Sequence, residues 1–218
     1  MSTTTVTSKE KAFSEVIRER RSVRAYDPSF TISKEEMTEL LGDAILAPSS
    51  SNLQPWRFLV IDDQELKEKL LPIAWNQQQV VEASAIIAVL GDLESYKHAD
   101  TIYTRAFEAG YMPEDTKNSF IERTVKTYGS LPKDVAARIV STDGGLISMQ
   151  LMLSAKARGY DTVPMGGYDA VKFKEAFGIS ERYLPIMLIA IGKSTQPGHP
   201  TVRLTVDEVT SWNEASFE

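Results

Sequence analysis

The stretch Leu146-Ile147-Ser148-Met149-Gln150-Leu151-Met152-Leu153 decides the fold class. It lies within Pro132 to Arg158, where the spacing predicts one long helix. The centre of that helix is apolar on almost every side. Such a helix is buried all round, in a core or at a subunit interface. Gly144 and Gly145 lower its helix propensity by roughly 1 kcal/mol each. Close approach to a neighbouring element would offset that cost. Lys156 and Arg158 suit the C-terminal end, where cations meet the negative end of the helix dipole, and Gly159 can close it.

Working outward, Ala85 to Leu90 is a continuous apolar run ending in Gly91, the signature of a buried strand. Trp56 to Ile61 reads as another strand, with Trp56 in the core. Tyr160 to Val163 and Tyr183 to Ile191 read as two more, and Arg203 to Val206 as a late, isolated one. Phe13, Val16, Ile17 and Arg20 share a face, giving a first helix of about three turns. Ser33 and Glu36 have capping-box spacing and Ile32 can staple to Met37. Met37, Leu40, Leu41, Ala44 and Ile45 then form a stripe that ends before Pro48. Asp63 to Leu71 and Ala170 to Phe177 read as short helices. Leu93 to Tyr128 is more polar, with interleaved aromatics, and predicts helices broken near Gly110 and Pro113. Helices first, strands interspersed and a late strand argue an α+β or layered α/β class. We see no repeat or long linker, so residues 12–218 form one domain behind a flexible Thr/Ser-rich arm, residues 1–11.

Composition excludes several chemistries. The 218 residues include no Cys and carry a net charge of −6. There are no disulfides, thiolate nucleophiles or Cys-ligated metals. Only His98 and His199 are present, so a three-His metal site is impossible, and both read as surface residues. No G-x-S-x-G elbow appears, which disfavours a serine hydrolase. The acidic balance lacks the global attraction of a nucleic-acid binder. No run approaches the roughly 18 apolar residues of a membrane span. No signal peptide is evident, so a cytoplasmic location is expected.

Three segments could carry chemistry. Arg18-Glu19-Arg20-Arg21-Ser22-Val23-Arg24 concentrates four Arg in an acidic chain. Guanidinium forks match phosphate oxygens, but the run also reads as a solvated helix end. Pro48-Ser49-Ser50-Ser51-Asn52-Leu53-Gln54-Pro55-Trp56 offers hydroxyls and amides that hydrogen-bond a polar ligand edge, or an ordinary helix-to-strand loop. Val163-Pro164-Met165-Gly166-Gly167-Tyr168-Asp169 allows close backbone approach to a flat ligand, or a turn with Asp169 as N-cap. No G-x-G-x-x-G occurs, which argues against a Rossmann nicotinamide site.

Taken in order, Arg-Arg-Ser-Val-Arg, Pro-Ser-Ser-Ser-Asn-Leu-Gln-Pro-Trp, Pro-Met-Gly-Gly-Tyr-Asp and the distal Arg203 resemble the nitroreductase family from about Phe13 to Val209. The resemblance implies an α+β three-layer sandwich: a central, mostly antiparallel sheet covered by helices. It implies an obligate homodimer whose C-terminal strand is exchanged, with an FMN at each interface site. By motif, Arg20, Arg21, Ser22 and Arg24 would bind FMN. Arg20 and Arg203 would hold its phosphate, and Arg24 would lie at the N1/O2 edge, where a cation raises the potential. Pro48, Ser49, Ser50, Asn52 and Gln54 belong to the loop that would reach the flavin from the other subunit. Asn76 and Gln79 would contact the ring edge. Pro164 and Met165 would pack on the ring, with the Gly166 N–H toward N5 and Gly167 beside it. Gly166, Gln79 and Thr201 stand where other members carry Glu, Lys and Lys. The Gln79 change removes a charge near the ring, and the Thr201 change leaves Arg203 with more of the phosphate.

The implied activity is ping-pong. NADH or NADPH delivers hydride to flavin N5 and leaves, and a small acceptor such as a nitroaromatic, quinone or enone takes its place. The flavin performs the redox step, so no side-chain catalyst is assigned. A specialised flavin enzyme, dehalogenase-like or oxygenase-like, and a non-catalytic flavin-binding module are the competing readings. Tyr103, Phe107 and Tyr111, spaced to share one helical side, are the candidate walls of the acceptor channel.

Overall fold

A computed structural model describes residues 12–217. The arm expected at residues 1–11 lies outside them. Four strands, β1 (Trp56–Ile61), β2 (Ala85–Asp92), β3 (Asp161–Met165) and β4 (Tyr183–Gly192), form one sheet in the order β1-β2-β4-β3. Every neighbouring pair is antiparallel. β2 is buried along its whole length, as its unbroken apolar run requires.

Helices cover both faces. Alternate β2 residues Ile86, Ala88 and Leu90 pack with Val163, Leu188 and Ala190 against α3 (Gln64–Leu70), α4 (Gln79–Glu82) and α8 (Ala170–Phe177). Ala85, Ile87 and Val89 point the other way, onto α2 (Lys34–Ala44) and α7 (Lys133–Ala157). This period-2 division makes three layers with two cores. A smaller cluster around Leu53, Ala99 and Tyr103 ties α5 (Ala99–Glu108) and α6 (Glu114–Gly129) to the end of the sheet.

Local signals explain most boundaries. The Ser33 side chain accepts from the Glu36 N–H, closing the capping box of α2. Asp169 caps α8 by accepting the Lys172 N–H. Gly159, at φ +80°, ends α7. Pro185 and Ile186 interrupt the β2–β4 register as a bulge. A Cβ on Gly144 would lie 2.3 Å from Ile186, so that glycine lets α7 rest on the bulge. Gly145 faces open space.

Three expectations change or narrow. α1 (Phe13–Glu19) has seven residues, about two turns, because the chain turns extended at Arg20 to meet the sheet. Of the two settings expected for α7, core or subunit interface, the core of this chain leaves one side uncovered, with Leu146 and Met149 exposed. Arg203 to Val206 forms no strand within this chain, because no strand of its own sheet pairs with it.

Candidate functional site

The sequence-derived residues fall into two groups at opposite edges of the sheet. The first follows β3. Ser22 bridges to Thr162, and the Val23 N–H donates to the Thr162 carbonyl at 3.1 Å. The Thr195 N–H donates to Ala25 (3.1 Å) and the Asp27 N–H to Lys193 (2.9 Å). Buried Tyr26 donates its hydroxyl hydrogen to the Val23 carbonyl at 2.8 Å. The Arg run is thus sewn to the rim of β3 and the end of β4. Burial and the neighbouring charges of Arg203 and Arg21 hold the Arg20 pKa below the usual guanidinium value. Among the described residues no carboxylate forms an ion pair with Arg20, Arg21 or Arg203. Arg24 is exposed. Arg21 donates to the Arg18 carbonyl and, at 2.9 Å, to the Arg20 carbonyl.

The far end of β3 carries Pro164 and Met165, then Gly166 and Gly167. Buried Gln79 donates to the Gln77 side-chain oxygen (3.0 Å) and to the Met165 sulfur (3.4 Å). Gln77 donates to the Gly167 carbonyl (2.9 Å). Trp75 and Asn76 adopt φ of 55° and 57°, and a Cβ on Gly167 would come within 2.8 Å of the Trp75 ring. Asn76 is exposed, and a Cβ on Gly166 would meet nothing within 4 Å. This end of the cradle is therefore open where a flat ring needs it open. β3 spans about 13 Å between the two ends at roughly 3.3 Å per residue. That separates the Arg20–Arg24 segment from the open backbone at Gly166 along one strand.

The second group is the loop before β1. Ser51, Asn52 and Gln54 have φ of 50°, 52° and 47°. Three left-handed non-glycine residues within four positions require support from outside. Ser50 donates both its N–H and its hydroxyl hydrogen to Asp143, each at 3.1 Å. The Ser49 hydroxyl accepts the Gln54 N–H at 3.0 Å. Ser51 shares a hydrogen bond with the Tyr128 hydroxyl at 2.8 Å, and its carbonyl accepts from Tyr103 at 2.9 Å. Arg57 donates to the Gln54 carbonyl at 3.1 Å. Pro48 and Asn52 remain exposed. Among the described residues, no hydrogen bond joins this loop to the β3 group. β1 and β3 are three strand spacings apart, about 14 Å.

Of the channel candidates, Tyr103 is buried edge-on against Phe120 at 5.6 Å. Phe107 lies under the Lys117 ammonium at 4.9 Å. Tyr111 falls beyond the end of α5, past Gly110 at φ +77°, and is exposed. The three therefore do not share one helical side.

Two supports went unread in the sequence. Asp143 is 2% exposed on α7, and burial raises its pKa despite the Ser50 hydrogen bonds. Its one sequence signal is an acid next to Gly144-Gly145 in an apolar helix. The other is fully buried Asp92, which accepts two 2.6 Å hydrogen bonds from Arg182 and one at 3.3 Å from Arg57. His98 is no idle surface residue: its Nε2 lies 2.7 Å from Arg57 and 3.3 Å from Arg182.

Comparisons with known proteins bear on the family and the fold. A relative from Bacillus subtilis, "Putative NAD(P)H nitroreductase YdgI", is 50% identical over 206 residues, covering 94% of this chain and 99% of its own. The "CLA biosynthesis enone reductase" of Lactiplantibacillus plantarum is 34% identical, covering 86% and 88%. Among solved structures, a "putative nitroreductase in complex with FMN" from Exiguobacterium sibiricum superposes with a TM-score of 0.90 at 46% identity, covering 93% and 98%. The model of the Nitroreductase family matches residues 17–193. Fold and sequence together thus make this chain a member of the nitroreductase family.

Proposed function

We propose that the protein is a homodimeric, FMN-dependent oxidoreductase that uses NADH or NADPH to reduce small nitroaromatic, quinone or enone acceptors. The carrying observation is that the Arg20–Arg24 segment is held along the start of β3 by the Ser22–Thr162 bridge and the Val23 N–H, while no described carboxylate forms an ion pair with Arg20, Arg21 or Arg203. A phosphate monoester supplies the missing anion through charge-assisted, forked hydrogen bonds. At the other end, Met165, Gly166 and the Trp75–Gln79 turn leave an open shelf for a ring. Asn76 and Gln79 belong to that ring end, and Ser22, Arg24 and Pro164 to the strip between. When bound, FMN supplies the two-electron chemistry between the nicotinamide donor and the acceptor. The chain's part is to fix the phosphate, orient the ring and keep one face reachable.

The division of candidate residues between two sheet edges supports a dimer. Ser49, Ser50, Asn52 and Gln54 complete the site only if a second copy brings them to the partner's β3. A broad apolar face stands ready for that copy: Phe13, Leu46, Leu146 and Met149 are exposed around a groove of about 780 Å³. Val202, Leu204, Val206 and Trp212 are also exposed, as a segment that pairs with a partner's sheet would be. Apolar surface on this scale marks an association face. Among the described residues no helix is long and apolar enough to cross a membrane. A cytoplasmic location gives access to both nicotinamide donors. The enone reductase relative supports conjugated carbonyls as acceptors beside nitroaromatics.

The test is the visible spectrum of the purified protein before and after anaerobic NADH, then NADPH. Flavin bands that bleach are expected. A colourless protein that takes up no added FMN overturns the reading. Arg20→Ala with Arg203→Ala is expected to weaken FMN binding by at least about a hundredfold, since each charge-assisted contact contributes about 1.5 kcal/mol or more. Unchanged occupancy in both single variants and the double rejects the phosphate assignment.

A further inference from the structure

A cavity of about 650 Å³ lies between the α5–α6 pair and the Ser49–Gln54 loop. Its wall is mostly apolar or aromatic, including Tyr103, Met112, Phe120 and Ile139, and its floor includes Ser51 and Asn52. Arg123 is the only charged residue lining it. The guanidinium carbon of Arg123 sits 4.9 Å from the centre of the Phe120 ring. Among the described residues no carboxylate forms an ion pair with it. Several other surface cations are ion-paired. Lys97, Lys117, Lys172, Lys174 and Arg158 each have an acidic partner.

We infer that Arg123 is a specificity-determining residue, and that the protein prefers flat apolar acceptors carrying a carboxylate. This inference rests on the proposed flavin function. The reasoning is chemical. An apolar cavity of this size takes up an aromatic or conjugated body. A single unpaired guanidinium resting on an aromatic ring is weakly hydrated and holds its fork ready for a carboxylate. Ser51 and Asn52, on the loop that completes the partner's flavin site, form part of the same wall. A molecule anchored at Arg123 therefore extends its reducible end toward that site. Tyr103 and Tyr128 both brace the loop and line the cavity, so the acceptor and flavin sites share their supports.

The experiment compares 4-nitrobenzoate with nitrobenzene as acceptors, using the FMN-loaded protein and either nicotinamide donor. The wild type is expected to favour 4-nitrobenzoate in kcat/KM by roughly tenfold, the size of one charge-assisted contact. In Arg123→Gln that preference should collapse, chiefly through KM for 4-nitrobenzoate. Arg123→Lys should restore part of it, because a point charge lacks the fork. Titration of the oxidised holoprotein with benzoate, followed by the flavin absorbance, gives a second readout: weaker binding is expected in Arg123→Gln. An equal preference in wild type and Arg123→Gln overturns the inference while leaving the flavin function standing. A raised KM for the nicotinamide donor with the acceptor preference intact also overturns it, since Arg123 would then serve the donor. A protein that holds no FMN overturns the function and this inference together. If Arg123→Gln fails to fold, Arg123→Lys and the benzoate titration decide between the same outcomes.

Discussion

The region around Asp92 and the region around Asp143 make an instructive pair. Each centres on a carboxylate almost wholly removed from water, at 0% and 2% exposure. Each also braces the loop before β1, Asp92 through Arg57 and Asp143 through Ser50. Their electrostatics are opposed. Burial raises the Asp92 pKa, but the hydrogen bonds of Arg182, the Glu94 N–H and the charges of Arg182 and Arg57 outweigh it, and the net shift is downward. Asp143 has only the N–H and hydroxyl of Ser50, and burial prevails, so its net shift is upward. Asp92 is a neutralised structural anchor. Asp143 is an under-compensated charge beneath the loop proposed to reach the partner's flavin.

The largest expected effect is Asp92→Ala. It strands two guanidiniums that are about one-third exposed, at 36% and 30%. Removing one partner of a buried pair costs about 3–5 kcal/mol, and water reaching these cations places this case near 3. The melting temperature should fall by roughly 6–12 °C in a chain of this length. A fall of under about 2 °C by calorimetry would show that the Asp92 network is decorative.

Asp143→Ala should come next. It leaves the Ser50 N–H and hydroxyl without their acceptor, a cost of about 2 kcal/mol. FMN binding should weaken as well, because the left-handed turn at Ser51 and Asn52 loses its anchor. Asp143→Asn should cost less, since an amide oxygen can accept the Ser50 N–H while its NH₂ donates to the Ser50 hydroxyl oxygen. The two carboxylates also differ in sign with pH. The stability from Asp92 is fully present above the ordinary carboxylate value near 4 and is lost as pH falls through its lowered folded value. For Asp143 the folded pKa is raised. Its contribution is fully present below that ordinary value and is lost as pH rises through the raised one. Wild type minus Asp143→Asn, measured as stability against pH, should therefore slope downward from about pH 4 upward. A flat difference curve would mean that the Ser50 hydrogen bonds offset burial at Asp143, leaving no net shift.

Sequence reading located the elements on which local chemistry is decisive. The β2 run, the Ser33–Glu36 box and the Asp169 cap depend on residues a few positions apart, and all three stand where expected. The supports were invisible for a physical reason. Asp143 meets Ser50 across 93 positions, and Asp92 meets Arg182 across 90. A lone acid in a helix gives no hint of a partner that far away. Arg203 to Val206 failed in the opposite direction. Alternating Arg-Leu-Thr-Val has strand character, but a strand exists only where an edge receives it. Within one chain none of the four strands does so.

The smallest expected effect sharpens what holds the loop. Tyr128 and Asp143 clamp adjacent residues, Ser51 and Ser50. Ser51 is exposed, whereas Asp143 is buried. Removing the Tyr128 hydroxyl leaves Ser51 able to bond with water, so the net loss is small. Tyr128→Phe should cost about 0.5 kcal/mol, moving the melting temperature by about 1–2 °C. The Ser51 carbonyl keeps its bond from Tyr103, so the left-handed turn should survive and FMN affinity should hold within about twofold. A loss of affinity as large as that of Asp143→Ala would place the decisive clamp at the solvent side of the loop. It would also remove the distinction between a buried, under-compensated anchor and a hydrated one.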